Sequence, residues 1–295
     1  MSTGVCKGEQ RPLNADTSGA EVRSSALDLL QQTRERLESG LARPDIDQDE
    51  IVHQTRVDMK RLRALWYLAE PGLKEKQMLH DATRRIAKAL SGQRDHAVMQ
   101  TTCQSLPVDL PDAFQKQLDA GLLDHTRPAA HPEQPLAEVS PLLYALECKV
   151  MDADFEGLRQ CHLKTGFLKV ATKGEKLSRK ALQRADQEAL HRWRKWVKVW
   201  MYQHLWLVPG TDFVWSERLK PLGSALGRIH DLDVLDGILQ QLDQPESLDT
   251  LNALQYAIQQ ERNRLLGQVT TEATVIYAKP AKKRVKKVFC AWSKD

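Results

Sequence analysis

Apolar residues recur along this chain at intervals of three and four, almost never in strict alternation, so the pattern predicts helices and no strands. Leu27, Leu30 and Leu37 mark a helix over 21–40 that ends on a glycine. Arg43-Pro44-Asp45 forms a turn, and Asp47 or Asp49 is placed to cap the next helix. That helix, 51–70, carries Ile51, Met59, Leu62, Leu65 and Trp66 on one face and stops at Pro71-Gly72. Helices follow over 74–90 and 94–106, with a short one over 113–123. Prolines then crowd together, and 126–140 reads as a linker. Helices resume over 141–151, 156–185 and 187–207, the last halted by Pro209-Gly210. Three more are predicted over 215–226, 232–242 and 248–266.

The second series repeats landmarks of the first. His53-Gln54-Thr55-Arg56-Val57-Asp58-Met59-Lys60-Arg61-Leu62-Arg63 has a counterpart in His191-Arg192-Trp193-Arg194-Lys195-Trp196-Val197-Lys198. Each copy has a His, a basic residue three later and a Lys seven later. Each leads to Pro-Gly, another helix and a turn with an acidic residue. The turns are Leu90-Ser91-Gly92-Gln93-Arg94-Asp95-His96-Ala97-Val98 and Leu226-Gly227-Arg228-Ile229-His230-Asp231-Leu232-Asp233-Val234. From His53 to His191 is 138 residues and from Asp95 to Asp231 is 136. Agreement in order, offset and stop signal predicts an internal duplication. The expected organisation is a flexible N-terminus over 1–19, a first helical-bundle repeat over 20–125, the linker, a second repeat over 141–267, and a basic tail over 268–295.

On a helical wheel with His53 at zero, Arg56, Lys60, Arg63 and Tyr67 all fall within about 80° on one side. The apolar set centres nearly opposite. Arg61 lies off the stripe and is a weaker candidate. In the second copy His191, Arg194 and Lys198 repeat the geometry with Lys195 beside them, while Met201 stands where Arg63 would recur. Trp193, Trp196 and Trp200 fall opposite this stripe and are predicted to be core. Upstream, Lys169, Lys173, Lys176 and Lys180 form another basic row. If their helix packs antiparallel to the next, both rows can line one groove. Arg84, Arg85 and Arg94 complete the candidate cations. A face of His, Arg and Lys repels itself unless an anion sits on it. Arginine suits phosphate because its planar fork donates two parallel hydrogen bonds. Asp95 and Asp231 fit two roles equally: capping a helix, or accepting from and orienting a cation of the lining.

Charge sharpens this picture. The net charge of +4 conceals a +7 segment over 169–198 and a +6 segment over 279–295, which leaves the rest acidic. Concentrated positive charge points to a polyanionic partner. The C-terminal run reads either as a solvated, mobile end or as an additional anion clamp. Five scattered cysteines without a CxxC pair argue against a disulfide framework or a zinc site. No apolar run approaches the ~20 residues of a membrane span, and the first residues lack the features of a signal peptide. A cytoplasmic protein without metal or cofactor is expected.

These residues resemble the conserved histidine α-helical domain, the CHAD family. Its hallmarks are a duplicated His-x-x-Arg-Val-x-x-(Lys/Arg)-Arg-x-Arg helix and a following Leu-Gly-x-x-Arg-Asp-x-Asp-Val turn. The chain departs at Ser91, Ala97, Met201 and His230. The resemblance spans roughly 20–267. It implies two four-helix-type bundles related by a pseudo-twofold axis, with a basic groove or pore between them. It further implies binding of inorganic polyphosphate, association with polyphosphate granules and with polyphosphate-metabolising proteins, and a stand-alone form without a triphosphate-tunnel domain.

The expected function is therefore non-catalytic polyphosphate binding, at His53, Arg56, Lys60, Arg61, Arg63, Arg84, Arg85, Arg94, Lys169, Lys173, Lys176, Lys180, His191, Arg194, Lys195 and Lys198. A polymer of phosphates has no bases to stack, so cations at helical pitch suffice. The alternatives are an RNA-binding helical protein, to which the basic tail and tryptophans could contribute, and a polyphosphate-processing enzyme. Phosphoryl transfer normally uses clustered metal-binding carboxylates, and the chain has neither these nor a P-loop, HExxH or GxSxG motif.

Overall fold

The computed structural model describes residues 13, 19–43, 47–90, 93–126, 135–207, 214–242 and 245–292. Side chains at 93–97, 123–126, 135, 214–217 and 290–292 lie outside the description. Apart from Leu13 and Gly19, the expected N-terminal segment therefore falls outside it, as do residues 127–134 of the expected linker and Pro209-Gly210.

Among the described residues the fold is all-helical. The helices are α1 (Gly19–Ala42), α2 (Gln48–Ala69), α3 (Lys76–Ala89), α4 (Gln93–Gln104), α5 (Asp112–Thr126) and α6 (Pro135–Asp152), then α7 (Gln160–Arg184), α8 (Gln187–Leu207), α9 (Val214–Leu239), α10 (Leu248–Ile276) and α11 (Ala281–Trp292). Asp47 caps α2, accepting a hydrogen bond from the Glu50 amide at 3.2 Å. Pro71 and Gly72 convert the end of α2 into a single 3₁₀ turn, Glu70–Gly72.

Four boundaries differ from those predicted. α6 starts at Pro135, so Pro141 lies inside a helix and the expected repeat boundary at 141 falls within α6. The two helices predicted over 215–226 and 232–242 are one, α9, which runs through Gly227. α10 extends to Ile276, beyond the predicted stop at 266. Most of the expected tail is folded: α11 buries Ala281, Val285, Val288 and Phe289 against α7. Its apolar residues sit at helical spacing, which the run of lysines hides from a reading of charge alone.

Packing follows the apolar stripes. α1, α2, α3 and α6 close a ring in which each touches two of the others. α7 packs on α8, α8 on α9, and α9 on α10. α4 and α5 pack on each other and on α9. The two groups share one buried core through α2, which lies against both α7 and α8. α2 and α8 run antiparallel: the Trp206 indole donates to the Arg61 carbonyl at 2.9 Å and the Gln203 amide to the Ala64 carbonyl at 3.4 Å. α7 crosses α2 so closely that a β-carbon at Gly166 would sit 2.1 Å from the Leu68 carbonyl oxygen. Only glycine permits that approach.

Two buried polar centres pin this arrangement. Asp58 is 1% exposed and joins α1 to α2, accepting from Arg36 at 2.7 Å, Thr33 at 3.1 Å and Arg61 at 3.2 Å. Arg284 is 2% exposed and fixes α11 to α7 through Glu175 at 3.0 Å, with its guanidinium over the Trp200 and Tyr277 rings. Both satisfy the rule that a buried charge needs a matched partner.

Candidate anion-binding faces of the histidine helices

The stripes predicted on α2 and α8 do not stand clear of the protein. Each leans over the helix that follows it. On α2, His53, Arg56 and Arg63 are half-buried and Lys60 is exposed. The Arg56 guanidinium donates to the Leu90 carbonyl at the end of α3 at 2.7 Å. Arg63 lies near enough to His80 of α3 to help depress that ring, after burial itself. On α8, Arg194 sits over Gly227 of α9 and Lys198 over Gly223, with side-chain atoms 3.6 Å from where a β-carbon would be at each glycine. The two glycines, one turn apart, leave room for the two cations. Met201, at the position matching Arg63, is buried.

The second face holds the more strained electrostatics. The rings of His191 and His230 lie 4.2 Å apart. Burial and then the charges of Lys195 and Arg194 hold His191 down at about 4; His230 is held at about 4 by burial, Arg194, His191 and Lys195. Burial lowers Arg194 and Lys198 as well, and Asp231 opposes that in both. The Nδ1 atoms of His191 and His230 and the Nε of Arg194 are buried without a hydrogen-bond partner among the described residues. Asp231 lies inside continuous α9, so it is not the helix cap that the sequence allowed; it faces cations. With His53, Asp47, Arg228 and Thr102 it also lines a cavity of about 580 Å³ between the start of α2 and α9.

The other candidates divide. Lys169, Lys176, Lys180, Lys195, Arg84 and Arg85 are exposed. Arg61 is held by buried Asp58. The side chains of Arg94 and Asp95 lie outside the description. The lysine row of α7 was expected beside the α8 stripe. Lys173 of that row sits 6.0 Å over the ring of Trp196, and Tyr67 of α2 meets the same ring at 5.1 Å. Tyr67 in turn meets His80 at 4.3 Å, so a row of rings crosses α3, α2 and α8 and ends under the Lys173 cation of α7. Trp193 and Trp200 are buried as predicted, whereas Trp196 is half-buried in this row. Sequence reasoning missed His80, Gly223 and Arg228; the spacing of Gly223 and Gly227 was the available signal. Among the described residues no group of three His, Cys, Asp or Glu is arranged to hold a metal ion, and no helix is long and apolar enough to cross a membrane.

His80, His191 and His230 at about 4, and fully buried His204 at about 3, give a testable pH dependence. All four are depressed from 6.5, so the unfolded chain binds protons that the folded chain refuses. Their contribution to stability is whole above that value and is lost as pH falls toward 4. Thermal melts should shift down steeply from about pH 7 to about pH 5; His204→Phe should flatten part of that slope.

Comparison with known proteins agrees with this architecture. The CHAD domain family model matches residues 25–211. The crystal structure of the CHAD domain from the plant Ricinus communis superposes with a TM-score of 0.59 at 20% identity, covering 94% of this chain and 96% of that one. No curated protein matches the chain.

Proposed function

Because the chain belongs to the CHAD domain family, we propose that it binds inorganic polyphosphate, without transforming it, along the cationic faces of α2 and α8. One observation carries the reading. Arg194, His191 and His230 bring a guanidinium Nε and two ring nitrogens together, buried and without hydrogen-bond partners among the described residues, beside Lys198 and Lys195. A buried cationic donor without a partner is costly, and a phosphate oxygen would satisfy it. Anion binding would also raise the two histidines and draw in protons.

The helix order supports a duplicated frame for this site. α8 starts 139 residues after α2 (48 to 187), and α10 starts 136 after α5 (112 to 248). α9 spans the place of α3 and α4 together. α11 packs on α7 as α6 packs on α1. Each repeat then ends in the helix that returns to its own first helix, which moves the boundary from the linker to the turn between α6 and α7. The two faces meet through α2 and α8, and a polymer crossing both would define the expected groove. Recruitment to polyphosphate granules would follow from such binding.

The RNA reading has one observation in its favour, the half-buried Trp196. Its ring already has Tyr67 and Lys173 as neighbours, which leaves a base little surface to stack on.

Titration with polyphosphate at two salt concentrations tests the proposal. Affinity should fall steeply with salt, as counterion release requires. Tighter binding of single-stranded RNA at matched charge would reject it, and phosphate release on incubation with Mg²⁺ would reject its non-catalytic part.

A further inference from the structure

α11 has the sequence Ala-Lys-Lys-Arg-Val-Lys-Lys-Val-Phe-Cys-Ala-Trp, with five basic residues and no acidic one. Arg284 turns inward to Glu175 and its charge is matched there. Lys282, Lys283, Lys286 and Lys287 are all exposed, and none has an ion-pair partner among the described residues. They form two pairs one turn apart, on the side opposite buried Ala281, Val285 and Val288. We propose that this lysine face is a second docking surface for phosphate polymer, separate from the α2 and α8 faces, so that a long chain engages the protein at two places. The inference rests on the polyphosphate reading above.

Separation follows from how α7 is placed. α11 meets α7 at Glu175 and Phe167. On a wheel with Glu175 at zero, Phe167 lies at about −80°, while Lys169, Lys173, Lys176 and Lys180 lie between about 100° and 160°. The α7 lysines therefore point away from α11. Those lysines and α11 are distinct patches on two sides of one helix.

The partner follows from what the face lacks. A helix lying on a membrane presents its apolar residues outward. Here Val285, Val288 and Phe289 are buried against the fold. A helix that is merely solvated usually interleaves acids with its lysines, because like charges one turn apart repel. This face has lysines alone, which a line of phosphates would relieve. A polymer already held at the histidine helices raises the local concentration of its own remaining units at α11, so the gain from this surface grows with chain length.

The test replaces Lys282, Lys283, Lys286 and Lys287 by Gln in the full chain, leaving the buried face intact. A second variant replaces the same four by Arg. Both are titrated with an oligophosphate too short to span the two surfaces, with long polyphosphate and with single-stranded RNA. The Gln variant should bind the oligomer like wild type and lose about tenfold or more of its affinity for the long polymer; the Arg variant should keep it. Unchanged long-polymer affinity in the Gln variant overturns the second surface while leaving the first intact. Equal losses for both lengths overturn it too, since one continuous site would then be at work. A loss confined to single-stranded RNA would assign the face to nucleic acid and overturn the proposal. Wild type that binds neither length removes the polyphosphate reading itself.

Discussion

Replacing Arg56 and Arg194 together with alanine should weaken polyphosphate binding by at least about a hundredfold, because each charge-assisted hydrogen bond contributes roughly 1.5–3 kcal/mol. The single variants should be unequal. Arg56 already donates to the Leu90 carbonyl, whereas the Nε of Arg194 is buried without a partner among the described residues. Arg194→Ala should therefore account for the larger share. Isothermal titration of the three variants, with circular dichroism to verify that helicity is retained, measures this. Wild-type affinity in the double variant would refute the role given to both faces.

Asp58→Ala should produce the largest loss of stability, about 3–5 kcal/mol, since removing one member of a buried ion network strands the others. Arg36, Arg61 and Thr33 all donate to the carboxylate of this residue, which is 1% exposed. Denaturant unfolding would record a lower midpoint. Asp58→Asn should recover part of the loss by keeping an acceptor in place. A midpoint within experimental error of wild type would show that α1 and α2 are held by their apolar contacts alone.

The legibility of this fold in its sequence varies with the range of the determining interaction. The α2 helix was clear from end to end. Its apolar stripe, Asp47 cap and Pro71-Gly72 stop all act within one or two turns. Gly227 misled because glycine usually ends a helix, whereas here it makes room for Arg194, a residue 33 positions away in sequence. Pro141 misled in the same way, since a proline can be accommodated inside α6 when the helix is held from both sides by α1 and α3. α11 could have been found from the spacing of Val285, Val288 and Phe289. The inward turn of Arg284 could not, because it depends on Glu175, 109 residues earlier.

For the candidate site, periodicity identified which residues share a face. It did not reveal what that face looks onto. Both stripes lean on the next helix, and nothing local to His53 or His191 encodes that. The bond between Arg61 and Asp58, by contrast, is an i,i+3 pair that the sequence displays openly.

The docking of Arg284 bears on how this sequence can be divided. The family match stops at residue 211, which invites treating 25–211 as a portable unit. Such a cut would strip α9 from the tryptophan-rich side of the bundle that α8 helps build, and would leave Glu175 without the arginine that meets it. Recombination, truncation or transplantation should respect the edge that α11 closes, because the segment that the family model matches is shorter than the segment that packs on one core.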